Sequence, residues 1–279
     1  MNKLFSFLFL LAITLMMAQD DVYELGVYQF QENKTQKIFT NFTRVRTAPN
    51  INSSVVDSLQ SNQVIEVIKK EEITLKLGER SANWYKIAYQ DDDKTGEGYV
   101  WGGNLCIGYR NKNGFDFLYG ITKTISKKDK ENGDNYLQNI ASIKVLENNE
   151  LLDEVFFETG SGESLSYSTF TIESNHKLDG VEFTLKTMVS GEACGIPSYE
   201  QYVLFANKKL IALPQLMNVG DADLYYHSET FVFPNDKGGI ANSFILKTED
   251  MEKNEKTNKE KIKRSSKIYT WNGSKFSLK

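Results

Sequence analysis

The side chains best suited to covalent chemistry are one cysteine, Cys194, and the only two histidines of the 279 residues, His176 and His227. A cysteine nucleophile needs a thiolate with an imidazole base close to it. Cys194 lies in the segment 191–197, GEACGIP, which reads as a turn between two predicted strands. No recognisable nucleophile–base motif accompanies it, so the sequence predicts a structural thiol and no catalytic residue.

The chain has one other cysteine, Cys106. A disulfide between Cys106 and Cys194 would tie the middle of the chain to its second half, and an oxidising compartment would favour that bond. The sequence does not give the distance between the two Cα atoms on which a disulfide depends. Two alternatives therefore stay open at this stage, a disulfide and a pair of free thiols.

Carboxylates that could bind a metal ion stand in the segment 220–223, GDAD. Asp221 and Asp223, with Asn235 and Asp236 further on, offer the oxygen ligands that a hard cation prefers. Their spacing does not match a calcium-binding loop, and Asp, Asn and Gly are also the residues of solvated turns. We therefore predict a turn, no metal site and no cofactor.

Three aromatic residues, Trp84, Tyr99 and Trp101, form the remaining candidate site, a ligand-binding surface. Side chains alternate between the two faces of a strand. With Ile87 and Val100 facing inward, the three aromatic rings share the outer surface. Aromatic rings beside a groove bind extended peptides or glycans, but they also fill seams between domains, and both interpretations stay open.

These aromatic residues lie in a stretch, residues 43–106, in which short apolar runs alternate with turn signals, as in a small barrel. Its landmarks are TRVRTAP at 43–49, VIEVI at 64–68, WYKI at 84–87 and GEGYVW at 96–101. In this order they resemble the bacterial SH3 domain (SH3b), over roughly a quarter of the chain. The resemblance implies a binding module for cell-wall peptide, glycan or an envelope protein, and no reaction.

One segment of the barrel, residues 70–80, is longer than the SH3b pattern usually carries. Ile73, Leu75 and Leu77 alternate there with polar residues, which predicts a strand or an arm. Such an arm is in a position to lie over the ligand groove.

Some cysteine peptidases that trim cell-wall peptides follow SH3b modules. In them the cysteine follows an aspartate and precedes Ser-Gly at the start of a helix. Here Ala193 precedes Cys194 and Gly195 follows it, so the resemblance does not extend to that enzyme. The segments 191–195 and 268–273 resemble parts of uncharacterised exported SH3b proteins of Bacteroidetes-type bacteria. This resemblance suggests where the protein acts, and it implies no activity.

The ends and connections of the chain suggest export and two domains. Residues 1–18 read as a secretory signal peptide, with Lys3 before a mostly apolar run that is shorter than the about 20 residues of a membrane span. Cleavage after Ala18 would deliver the protein to the periplasm or outside the cell.

The net charge of −4 argues against nucleic acid as a partner. We predict an approach segment at 19–41 with one strand over residues 22–30, the barrel at 42–106 and a connector at 107–114.

Residues 115–279 are predicted to form a larger antiparallel β-domain of unknown function, sandwich-like or a partial propeller, which makes the whole chain all-β. The mixed-charge run at 249–264 is predicted as a loop or a solvated helix within it. The predicted strands are Phe115–Ile125, Ile140–Leu146, Leu151–Phe157, Ser166–Ile172, Val181–Val189, Tyr199–Phe205, Leu210–Leu213, Thr230–Phe233, Phe244–Lys247, Lys267–Trp271 and Phe276–Leu278.

Three functions fit this sequence. The first is an exported, non-enzymatic binding protein that contacts cell-wall peptide, glycan or an envelope protein. The second is an envelope hydrolase that uses Cys194 or an acidic pair, and the third is a purely structural pairing of the two domains. The missing nucleophile–base motif favours the first, with no enzyme activity.

Overall fold

The computed structural model describes residues 27–91, 94–128 and 133–279. The predicted signal peptide and most of the approach segment lie outside the described residues. The described chain is nearly all β, and apart from two short 3-10 turns it contains no helix. The prediction of an all-β fold is confirmed. No helix in this part of the chain is long and apolar enough to cross a membrane.

The first sheet has six antiparallel strands and forms the barrel-like unit. Val45, Leu59, Ile87 and Val100 have no exposed surface and fill its interior, as alternation along the strands predicts. The order across the sheet is β1-β4-β5-β6-β2-β3, so β3 is an outer strand. The strands are β1 (Lys34–Lys37), β2 (Phe42–Arg46), β3 (Val55–Gln60), β4 (Val64–Leu77), β5 (Arg80–Asp91) and β6 (Lys94–Trp101).

The second sheet has four antiparallel strands in the order β10-β9-β8-β7. Its first strand occupies the stretch that was predicted as a connector, residues 107–114, because Gly108 to Lys112 pairs with the start of the next strand. The strands are β7 (Gly108–Lys112), β8 (Phe115–Lys128), β9 (Asn135–Glu147) and β10 (Glu150–Thr159).

The third sheet contains the remaining strands, and β14 pairs only with β13 at its side. The order of the others follows the chain from β11 to β19. They are β11 (Tyr167–Glu173), β12 (Phe183–Ser190), β13 (Ser198–Ala206), β14 (Lys209–Ala212), β15 (Leu216–Asp221), β16 (Tyr225–Val232), β17 (Ser243–Lys253), β18 (Glu260–Trp271) and β19 (Phe276–Leu278).

The second sheet packs face to face on β11–β13, and this is the arrangement of a sandwich. Phe117 of the second sheet contacts Phe183 and Phe205 of the third edge to face, with ring centroids 5.4 and 5.3 Å apart. All three side chains are almost completely buried within one continuous core. The sandwich alternative of the sequence analysis therefore describes this domain, and the propeller alternative does not.

The prediction for the charged run at 249–264 was wrong, because most of it belongs to the β17–β18 hairpin. The ladder runs from Ser243 opposite Thr270 to Lys253 opposite Glu260. Opposite charges face each other across it, Glu249 beside Arg264 and Asp250 beside Lys263. Such cross-strand pairs help to stabilise a sheet that has few apolar residues, which the hydrophobic pattern cannot show.

Within the described residues, the outer edge of this hairpin is largely unpaired. Strand β18 pairs with β19 only over residues 269–271. Its residues 260–267 are all exposed, and four of them are cations, against one anion, Glu260. The cations are Lys261, Lys263, Arg264 and Lys267.

The barrel-like unit and the sandwich meet in a shared seam. Phe39 and Cys106 from the barrel side pack against Leu118 and Leu146 of the second sheet, and all four are buried. Lys144 of β9 is also buried, and its ammonium group donates to the carbonyl of Phe39 at 3.0 Å. The barrel-like unit and the sandwich are therefore joined by apolar contacts as well as by a hydrogen bond.

Candidate functional site

The three aromatic residues predicted as a binding surface do come together. Trp84 and Trp101 lie directly opposite each other on β5 and β6. They form a small cluster with Ala82, on which Tyr99 and Leu75 pack. The alternation argument thus placed the aromatic rings on one common surface.

That surface is covered, which favours the interpretation of Trp84 and Trp101 as part of a seam over their interpretation as a binding surface. Each indole is only 3 % exposed, and Tyr99 is half-buried. The cover is the outer half of the β4–β5 hairpin, which we call the arm, residues 71–83. The indole N–H of Trp101 donates to the carbonyls of Leu75 and Ala82 at 3.0 and 3.1 Å, one on each strand of the arm.

Arg80, at the turn of the arm, ties it down further. Its guanidinium carbon lies 5.0 Å from the ring centre of Trp101. The same group donates to the carbonyl of Gly103 at 3.2 Å and to that of Ile121, in β8 of the sandwich, at 2.8 Å. The arm therefore joins the barrel-like unit to the sandwich over the buried indoles. In this structure the aromatic cluster is packed beneath the arm, as expected if these side chains fill a seam between the two domains.

The long segment at 70–80 explains why the sequence could not decide between the two interpretations. Between Lys70 and Thr74 the β4–β5 register shifts, so that residues 71–73 form an irregular bulge. A bulge bends the strand and redirects the side chains that follow it. Alternation within β5 and β6 gives the face that carries the indoles, but it does not reveal which other segment covers that face.

A polar cluster in the seam, centred on Asp116, was not predicted. Its carboxylate accepts hydrogen bonds from Lys37 at 3.0 Å, Asn62 at 2.9 Å and Asn111 at 3.1 Å. Burial acts to raise the pKa of Asp116, but the bonds from Lys37, Asn111 and Asn62 outweigh it and hold the pKa below its usual value. Lys37 and Asn62 are far from Asp116 in the chain, and the four residues match no motif, so no sequence pattern predicts the cluster.

The two cysteines are both free, so the disulfide that the sequence allowed is not formed. Cys106 is buried in the seam, where burial raises the pKa of its thiol. Cys194 is exposed in the loop after β12. The two thiols therefore differ in access to reagents.

The two histidines contact carboxylates. His176 stacks on Phe233 with ring centres 4.1 Å apart, and its Nε2 lies 3.2 Å from the carboxylate of Glu173. The hydrogen bond from His176 lowers the pKa of Glu173. The Nδ1 atom of His227 lies 2.7 Å from Asp250. In the part of the chain that the structure describes, neither imidazole forms a hydrogen bond with Cys194.

We expect a thiol reagent to separate the two cysteines. Cys194 should react with a maleimide in the native protein, whereas Cys106 should react only after unfolding, because it is inaccessible and its thiolate is disfavoured. Mass spectrometry of the labelled protein measures this. Cys194→Ser should leave the melting temperature and any wall binding unchanged. A large loss of a catalytic rate with the fold intact would instead support the hydrolase alternative.

The carboxylates considered as metal ligands lie in and beside a hairpin turn. Asp221 ends β15, and its carbonyl accepts a hydrogen bond from the N–H of Leu224, which closes the turn to β16. Asp223 is exposed within that turn. Asp236 instead accepts from the N–H of Phe233 at 2.8 Å. Among the described residues, no group of three or more His, Cys, Asp or Glu side chains is placed to hold a metal ion.

Comparison with known families supports the assignment of the barrel-like unit. Residues 41–105 match the family model described as the bacterial SH3 domain. The match spans less than a quarter of the chain and agrees with the resemblance in the sequence. Comparison with curated proteins and with solved structures returned no match.

Proposed function

We propose, from the match of residues 41–105 to the bacterial SH3 domain, that this protein is an exported, non-enzymatic binding protein of the cell envelope. Domains of this family commonly bind cell-wall material. The partner would be a cell-wall peptide or glycan, or an envelope protein. The sandwich would support the barrel-like unit through the seam.

The contact surface that we propose is the outer face of the β2–β3 hairpin, because the arm leaves it uncovered. Phe42 is 58 % exposed and Val55 is 48 % exposed. Alternation along β2 places Phe42, Arg44 and Arg46 on one face, and Arg46 lies opposite Val55. The exposed Arg44 thus stands between two apolar side chains, which suits an extended wall peptide that carries both carboxylates and apolar groups.

The backbone of β3 adds a second means of binding. Because β3 is an outer strand, its far edge has no strand partner within the described six-stranded sheet. An extended segment can pair with such an edge through main-chain hydrogen bonds while side chains of the sheet give specificity. This exposed hairpin is the observation on which the proposed binding role depends.

Phe42→Ser should weaken binding to isolated cell wall about tenfold, since a central aromatic contact commonly accounts for 1.4 kcal/mol or more. Co-sedimentation with purified wall measures the effect, and thermal unfolding checks the fold. Phe156→Ser is the matched control, because Phe156 is 56 % exposed on the sandwich. Equal binding by both variants would show that the β2–β3 hairpin is not the contact surface, and no binding by the parent protein would favour the purely structural function that the covered indoles already suggest.

Export gives a separate expectation. The mature protein should begin at Gln19, because the residues before it have the pattern of a cleaved signal peptide. Mass spectrometry of protein from its native cell would detect the loss of residues 1–18. An intact first segment would contradict export by this route.

A further inference from the structure

The solvent face of β16, β17 and β18 holds a depression of about 590 Å³, lined mostly by residues with polar side chains and separate from the barrel. The opposite face of these strands carries Phe231, Phe244 and Tyr269, which pack in the core. Because side chains alternate, most lining residues of the depression, including Lys247, Glu249 and Arg264, point away from that core. The depression therefore faces solvent.

The register of the three strands orders this face into four rows. Two polar rows lie in the middle, with an apolar row on each side. From one end the rows are Val232, Ile245 and Ile268; Thr230, Lys247 and Ser266; Ser228, Glu249 and Arg264; and Tyr226, Met251 and Ile262.

One of the polar rows is held in place by its own hydrogen bonds. The Glu249 carboxylate accepts from the hydroxyl of Tyr226, and it accepts from Nε of Arg264 at 2.6 Å. The bonds from Tyr226 and Arg264 lower the pKa of Glu249 below its ordinary value. The Arg264 side chain is therefore oriented before any ligand arrives.

Two cationic groups remain available on this face. Among the described residues, no acceptor contacts the ammonium group of Lys247 or the terminal amino groups of Arg264. The two residues are diagonal neighbours on adjacent strands, a separation of about 7–8 Å between their backbones. One carboxylate of a ligand is small enough to accept hydrogen bonds from both long side chains.

We propose that this face binds a saccharide that bears a carboxylate. Lys247 and Arg264 bind the carboxylate, since charge-assisted hydrogen bonds are the strongest that a surface offers. The hydroxyls of Thr230 and Ser266 meet those of the sugar. Beside the polar rows, the exposed Ile262 and the half-buried Val232, Ile245 and Ile268 contact the faces of the sugar rings, which are themselves apolar. The three strands are about 10 Å across, which leaves room for one or two rings.

The test compares two disaccharides that differ in one acidic group, by calorimetric titration into the full chain at low salt. The first is N-acetylglucosaminyl-N-acetylmuramic acid, and the second is chitobiose, which lacks the lactyl carboxylate. The acidic disaccharide should bind at least ten times more tightly. Equal affinity for both sugars, or no binding of either, would overturn the proposal.

Variants localise the site. Arg264→Gln and Lys247→Gln should each weaken binding of the acidic disaccharide about tenfold, whereas Lys263→Gln should leave it unchanged. Lys263→Gln is the matched control, because this substitution removes the same charge from the opposite face of β18. An equal loss in all three variants would indicate general attraction to a basic strand and would refute the site. If Arg264→Gln lowers the melting temperature, Lys247→Gln decides alone.

This site does not depend on the function proposed for the barrel. Phe42→Ser, which should weaken wall binding by the β2–β3 hairpin about tenfold, should keep full affinity for the acidic disaccharide. Failure of one proposal thus leaves the other standing.

Discussion

Trp101→Ala should lower the free energy of unfolding by about 3–5 kcal/mol, the usual cost of removing a large aromatic side chain from a packed interior. The indole is 3 % exposed and donates to both strands of the arm. Its loss leaves the carbonyls of Leu75 and Ala82 without their donor, and it removes the ring over which Arg80 lies. Chemical denaturation gives the change directly.

Two comparisons separate packing from ligand contact. Tyr99→Ala, at a half-buried position beside the same cluster, should cost distinctly less stability. Below its melting temperature, Trp101→Ala should still bind isolated wall as the parent protein does, because the β2–β3 hairpin is intact. A variant that keeps its stability and loses wall binding would show that the arm opens and that the indoles contact the ligand.

Asp116→Ala is expected to destabilise the protein by about 2–4 kcal/mol, since it leaves the cation of Lys37 in the seam without a counter-charge. The side chains of Lys37 and Asp116 are only 13 % and 20 % exposed, so water compensates little. Asn62 and Asn111 lose an acceptor in the same step. Asp116→Asn keeps the shape and removes the charge, and it should cost less. Denaturant titrations of both variants measure the two effects.

The contribution of Asp116 should depend on pH in a defined direction. The folded state lowers the pKa of this carboxyl below its ordinary value of 3.8. The resulting stabilisation is therefore fully present above that value and is lost as the pH falls through the lower pKa of the folded state. The stability difference between the parent protein and Asp116→Asn should be constant from pH 7 to about pH 5 and shrink below pH 4. A difference that does not change down to pH 2 would contradict the role given to the charge.

Most strands could be predicted because they bury one face. The alternation around Ile87 and Val100 predicts two barrel strands correctly, and the runs that contain Phe117 and Phe205 are found in paired strands of the sandwich. Strand β18 was recognised only at its apolar end, from Lys267, because its outer part is stabilised by charge pairs. The predicted strand over residues 22–30 lies partly outside the described residues, and Tyr28 and Phe30 are not in a strand.

The candidate site was harder to predict than the fold. Strand periodicity places Trp84 and Trp101 on one face, but burial of that face depends on the arm, which comes from a different part of β4 and β5. The Asp116 cluster depends on side chains from three separate segments, at Lys37, at Asn62 and in the β7–β8 hairpin, which a single sequence does not connect. In both cases the missing information is which segments meet in space.

The unpaired edge of β18 bears on how copies of the protein behave at high concentration. A free strand edge can pair with the same edge of a second molecule and start a fibre. Here Lys261, Lys263, Arg264 and Lys267 would place like charges against one another in such a pair, so two molecules repel before their backbones can meet. In about 1 M salt the screening length falls to about 3 Å, and this repulsion largely disappears. Concentrated stocks of the protein should therefore be kept at low ionic strength, contrary to common practice for proteins that tend to aggregate.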